Sequence, residues 1–242
     1  MEQENEGAPI QTHLEELRSA LLKALLGLGA AIVISIFFTP RLIDFLAQPV
    51  GGLDKLQAIE VTETISVYMR VALLAGGILA SPWIFYQFFS FLAKGLKPKE
   101  RSNILIAVPF AVLFFAAGAV FAFLVMLPSA LNFFNQLMGV QTFLRIKSYF
   151  AFVTNLIFWI GMSFELPLLI FVLADVGVVN AGMLLKGWRV AVIVIAVLAA
   201  VITPTADPVN MGIFMVPLFG LYLLSIGLAA LAGKKRKKAE QE

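Results

Sequence analysis

Three carboxylates stand where this sequence can do chemistry. Glu16 lies at the start of the first helical stretch, Glu100 in a basic run, and Glu165 inside an apolar run. A carboxylate takes a guanidinium through paired N–H···O bonds, and arginine keeps its charge throughout. Two acids on one membrane face therefore suit two arginines better than two lysines. Other chemistries are excluded by composition. The chain has no cysteine, which removes disulfides, iron–sulfur clusters and thiol catalysis. Its single histidine, His13, cannot assemble a His-rich metal site, so no metal and no cofactor are expected. No GxxxxGK[ST] loop occurs, and any work the chain performs must draw on an outside source of energy. No residue reads as catalytic.

Each acid has a bland and a sharp reading. In Thr12-His13-Leu14-Glu15-Glu16-Leu17-Arg18, Thr12 and Glu15 fit a capping box, and Arg18 is an i,i+3 partner for Glu15. Glu16 has neither task. It is a solvated surface carboxylate or a contact for something external. Glu100 sits in Lys94-Gly95-Leu96-Lys97-Pro98-Lys99-Glu100-Arg101, whose cations are accounted for by anchoring on the cytoplasmic side. The carboxylate either caps the next helix or joins Glu16 in a clamp for paired guanidiniums. Glu165, in Phe164-Glu165-Leu166-Pro167, falls about nine residues, roughly 14 Å, from the cytoplasmic end of its span. A charge at that depth costs about 2.5–3.5 kcal/mol on insertion scales, so the group must be protonated, paired or facing a wet cavity. Asp207, in Thr203-Pro204-Thr205-Ala206-Asp207-Pro208, marks a tight outer turn and is placed to cap the last helix.

The elements that position these acids follow from composition. With 60% apolar residues, 14% charged residues and a mean hydropathy of +0.93, the chain is a polytopic membrane protein. A soluble enzyme, a disordered chain and a nucleic-acid reader are excluded, despite the pI of 9.2. Six apolar runs read as spans: 20–38, 67–93, 104–127, 149–174, 190–202 and 211–231. The first ends in Phe37-Phe38-Thr39-Pro40 without a small-residue cleavage site and reads as a retained span. The fifth, at about 20 Å, is too short to cross alone. Pro128 marks the third helix leaving the membrane, ahead of an extramembrane segment 129–148 with a short amphipathic helix. Lys and Arg concentrate on the side of the N-terminus, at Arg18, Lys23, Lys94 to Arg101, Lys186, Arg189 and Lys234 to Lys238. Both termini thus face the cytoplasm. Pro82, Pro109, Pro167 and Pro217 interrupt spans, which favours a kinked, partly open bundle. Residues 1–232 form one six-helix domain, and 233–242 a basic cytoplasmic tail attracted to anionic membrane lipids.

Four segments together resemble the TatC family, the multispanning receptor subunit of the twin-arginine protein translocase. They are THLEELR near the start, SPWIFYQFFSFL leading into LKPKER, GMSFELP in span four, and ITPTADP before span six. The resemblance runs from Thr12 to about Ala232. It implies an all-α membrane protein of six helices in a concave, glove-like bundle, with helices five and six short. It implies a multi-pass protein of the prokaryotic cytoplasmic (inner) membrane and no enzymatic activity. Its partners would be twin-arginine signal peptides of folded precursors and single-span subunits of the TatA/TatB type, with self-association in a receptor complex. Glu16 and Glu100 match the signal-peptide carboxylates, and Glu165 matches the family's intramembrane acid. Pro49, Glu63 and Asp207 match outer-side positions. The sequence also departs from the family: Lys94 stands where a proline is usual, and Ala20, Val61, Ser66 and Met211 replace other habitual residues.

The function expected is that of a receptor and scaffold for export of folded proteins, driven by the proton gradient. The alternative is a proton-coupled small-solute transporter using Glu165 as its ion site. No paired broken helices in corresponding halves support that alternative.

Overall fold

The computed structural model describes residues 10–94, 98–138, 144–202 and 208–239. Nine helices are present among them: α1 (Ile10–Ala47), α2 (Glu63–Lys94), α3 (Pro98–Phe121), α4 (Leu127–Met138), α5 (Ile146–Ser163), α6 (Leu166–Val176), α7 (Ala181–Lys186), α8 (Trp188–Ile202) and α9 (Pro208–Ala239). Five stretches are long and apolar enough to cross a membrane: Leu14–Val50, Glu63–Lys94, Ala107–Phe133, Ile146–Val176 and Met211–Lys234. The sixth, α8, has 15 residues and a length near 22 Å. The short fifth span is therefore as expected, and the fold is all-helical.

Several boundaries differ from the sequence expectation, each for a physical reason. α1 does not stop at Phe38 but runs through Pro40 to Ala47. Proline removes the N–H that would bond the Ile36 carbonyl. The Tyr68 hydroxyl of α2 donates to that oxygen instead, at 2.7 Å, so the helix proceeds without an orphaned acceptor. Pro82 in α2 is handled the same way: the freed Ile78 carbonyl accepts from the Ser81 hydroxyl at 2.8 Å. The third helix likewise does not stop at Pro128. A five-residue π-helical stretch, Ala122–Met126, joins α3 directly to α4. At the start of the chain α1 begins at Ile10, so Thr12 lies inside the first turn rather than at its cap. α9 is not short; it runs 32 residues, because Ala, Lys and Arg after Leu231 are good helix formers.

Span four does break. Pro167 stands in the first turn of α6, and Phe164 and Glu165 form the turn between α5 and α6. Backbone bonds tighten there, with the Glu165 N–H donating to the Met162 carbonyl at 3.1 Å. Glycines allow close helix approach. A Cβ at Gly76 would lie 2.8 Å from the Ile32 Cα of α1, and one at Gly118 of α3 would lie 2.9 Å from the Gly161 Cα of α5. The main core forms around α5, where Phe150, Leu156 and Ile160 pack with Leu127, Phe214 and Leu218. On the outer side a two-residue parallel pairing joins β1 (Leu56–Gln57) to β2 (Leu144–Arg145). The Tyr149 hydroxyl donates to the Leu46 carbonyl at 2.6 Å and ties α5 to the end of α1.

Candidate functional site

Polar side chains gather at three levels of the bundle. The inner level is built by the ends of α1 and α2, which run against each other. Glu16 comes from the first turns of α1, and Lys94 is the last residue of α2. Its Nζ lies 3.3 Å from Glu16 Oε1, with the two side chains 44% and 31% exposed. The sequence reading of Glu16 as a carboxylate without an internal partner is thereby corrected: the contact crosses 78 positions of sequence that no helical spacing connects. The pair is half in solvent, and such pairs contribute about 0.2–1 kcal/mol, so a better cation displaces lysine readily. Glu100 lies in the first turn of α3. Its side chain is outside the described residues. Glu100 is six positions after Lys94, so no more than about 20 Å of chain separates them.

The middle level is Glu165. Phe158, Met162 and Leu166, spaced by four, are 44%, 43% and 37% exposed and form a stripe running down α5 into α6. Glu165 sits beside this stripe, and its Oε1 is buried without a hydrogen bond among the described residues. An acceptor left so costs about 1–3 kcal/mol, which an incoming donor or a proton would recover.

At the outer level, Glu63 is fully buried in the first turn of α2. It accepts from Arg145 Nε at 2.5 Å and from the Ile59 N–H at 3.4 Å. Arg145 also reaches Glu60 at 2.8 Å. Hydrogen bonds to Glu63 and then Glu60 raise the Arg145 pKa further above its ordinary value, so the guanidinium stays charged. Glu63 thus serves first to fasten β2 to the start of α2. Pro49 lies half-buried in the 3-10 turn Gln48–Val50, closed by Gly51 in the left-handed region at φ 91°. Asp207 lies outside the described residues.

The structure therefore brings Glu16 to the same inner end as the start of α3, puts Glu165 at the broken span, and separates both from Glu63 and Pro49. Sequence reasoning missed Arg145, Glu60 and Lys94 as partners. Sequence marked Lys94 only as a cation standing where the family usually has proline, and Arg145 only as a charge between Leu144 and Ile146. No cluster of three metal-ligating side chains occurs among the described residues.

Fold and site together define a multi-pass, all-helical protein of the inner membrane, with polar clusters at the two rims and at one broken span. The family model for "Sec-independent protein translocase protein (TatC)" matches residues 12–217. The TatC protein of Koribacter versatilis is 34% identical over 247 residues, covering 98% of this chain and 90% of that one. That of Deinococcus radiodurans is 37% identical, covering 92% and 86%. The chloroplast TATC of Arabidopsis thaliana is 38% identical over 92% of this chain. A crystal structure of the twin-arginine translocase receptor TatC superposes with a TM-score of 0.81 at 30% identity, covering 91% of this chain and 99% of that one. The chain belongs to the TatC family, and its role lies in Sec-independent, twin-arginine protein translocation as a transport component.

Proposed function

We propose that this chain is the receptor and scaffold that admits folded proteins bearing twin-arginine signal peptides to the translocase. Glu16 and Glu100 take the two guanidiniums at the inner rim. The observation that carries this reading is the Glu16–Lys94 pair, with Lys94 six positions along the chain from Glu100. It is a carboxylate already poised on a cation, in a half-exposed setting where a bidentate guanidinium outcompetes an ammonium. The apolar stripe of Phe158, Met162 and Leu166 with Glu165 beside it supports a docking face for an apolar helix, either the signal peptide's own or that of a single-span partner subunit. The proton gradient would drive export, residues 1–232 act as the membrane domain, and the basic end of α9 holds to anionic lipid.

Photocrosslinking of a twin-arginine precursor in inner-membrane vesicles tests the reading. Glu16→Ala with Glu100→Ala, at unchanged protein level, should abolish crosslinks to the inner rim. Undiminished crosslinking removes the clamp.

A further inference from the structure

Arg70 is a cation inside a membrane-spanning helix, and its position is not explained by the receptor role. It lies seven residues into α2, about 10 Å below the outer end of that helix, and Asn155 lies about 14 Å below the outer end of α5. Arg70 Nη1 donates to Asn155 Oδ1 at 3.3 Å, and no carboxylate among the described residues pairs with it. The two side chains line a cavity of about 430 Å³ between α2 and α5, with Ser66 and Thr154 at its polar part and Met69, Leu73, Leu74 and Phe158 forming the apolar remainder. The hydroxyls of Ser66 and Thr154 are committed to their own helices, donating to the Thr62 and Phe150 carbonyls at 3.1 and 2.6 Å. The donors left for a ligand are the other guanidinium N–H groups and the Asn155 amide. Met69, Leu73 and Phe158 are exposed at the cavity's edge.

We propose that Arg70 and Asn155 form a binding site for the phosphate of an anionic phospholipid of the outer leaflet. An intramembrane cation without an anion is costly, and a long side chain lowers the cost by reaching toward the headgroup layer. A guanidinium binds phosphate through two parallel bonds. Asn155 holds the fork in place, and the apolar walls accept the upper acyl chains. A lipid satisfies both parts of the cavity at once, whereas a free anion satisfies only the polar part.

The test uses the full chain purified in maltoside and titrated separately with dioctanoyl phosphatidylglycerol, dioctanoylglycerol and inorganic phosphate. Bound copies are counted by native mass spectrometry. One tightly held phosphatidylglycerol is expected, bound roughly tenfold more weakly by Arg70→Gln, the loss typical of one charge-assisted pair. Asn155→Asp gives Arg70 an internal carboxylate, so it should keep the fold and thermal midpoint while losing the lipid. Equal lipid retention by wild type and both variants overturns the proposal. Inorganic phosphate binding as tightly as the lipid overturns the lipid assignment in favour of a free-anion site. Unchanged lipid binding with loss of a copurifying single-span polypeptide in Arg70→Gln overturns it in favour of a partner's carboxylate.

Discussion

Two ion pairs of this protein look alike on paper and behave differently. Glu16–Lys94 sits half in solvent, where Coulomb attraction is weak and side-chain entropy opposes it. Lys94→Gln should therefore change stability by no more than about 1 kcal/mol. It should tighten binding of a twin-arginine peptide by up to about fivefold, read by fluorescence titration in nanodiscs, because one internal competitor for Glu16 is removed. Looser binding would show that Lys94 assists rather than competes. Glu63–Arg145 is different because Glu63 is fully buried, and removing its partner strands a charge away from water. Arg145→Ala should lower the thermal midpoint well below that of Lys94→Gln, and Glu63→Gln should fall between them. Equal midpoints for all three would contradict the assignment of Glu63 to fastening the outer rim. The residue types at positions 16, 63, 100 and 165 were legible from sequence. Their partners were not, because the pair 63–145 crosses 82 positions and is fixed only by tertiary folding.

At the scale of elements, the bundle is held by helices that approach closely and by prolines whose freed carbonyls find other donors. Gly76 faces the Ile32 backbone of α1, whereas a Cβ at neighbouring Gly77 would meet nothing within 4 Å. Gly76→Ala must push α1 and α2 apart and should cost on the order of 1–3 kcal/mol. Gly77→Ala should be neutral or slightly stabilising, since alanine is the better helix former. Thermal unfolding in detergent checks the contrast, and equal effects would contradict the packing. Tyr68→Phe strips the Ile36 carbonyl of its donor. It should cost about 1–3 kcal/mol and raise amide exchange in α1 around Pro40. Helix existence was readable from hydropathy, since five stretches and the short α8 fall on the six apolar runs. Helix ends were not. Pro40 and Pro128 carry the usual stop signal, and only tertiary donors or a π-helical turn let the chain run past them. Pro167 did end its helix, and Glu165 stands in that gap.

Among the described residues, polar clusters stand at the two rims, at one broken span and at the Arg70–Asn155 pair between α2 and α5, while much of the remaining surface is apolar. Leu26, Phe37 and Val216, each more than 70% exposed, are lipid-facing in such an arrangement rather than defects of packing. The family was legible from four ordered motifs, of which the first begins near the start of α1, the second runs through the end of α2 and the third covers the break in span four. The relation between those places is what sequence did not give. The central claim is that two inner-rim carboxylates receive two arginines, and a double-mutant cycle tests it most directly. Peptide affinity is measured for the twin-arginine and twin-glutamine peptides against wild type and the Glu16→Gln, Glu100→Gln double variant. The account predicts strong coupling: each change alone weakens binding at least about tenfold, and the second change then adds little. Additive losses would contradict it, since arginines and glutamates acting independently cannot be in contact.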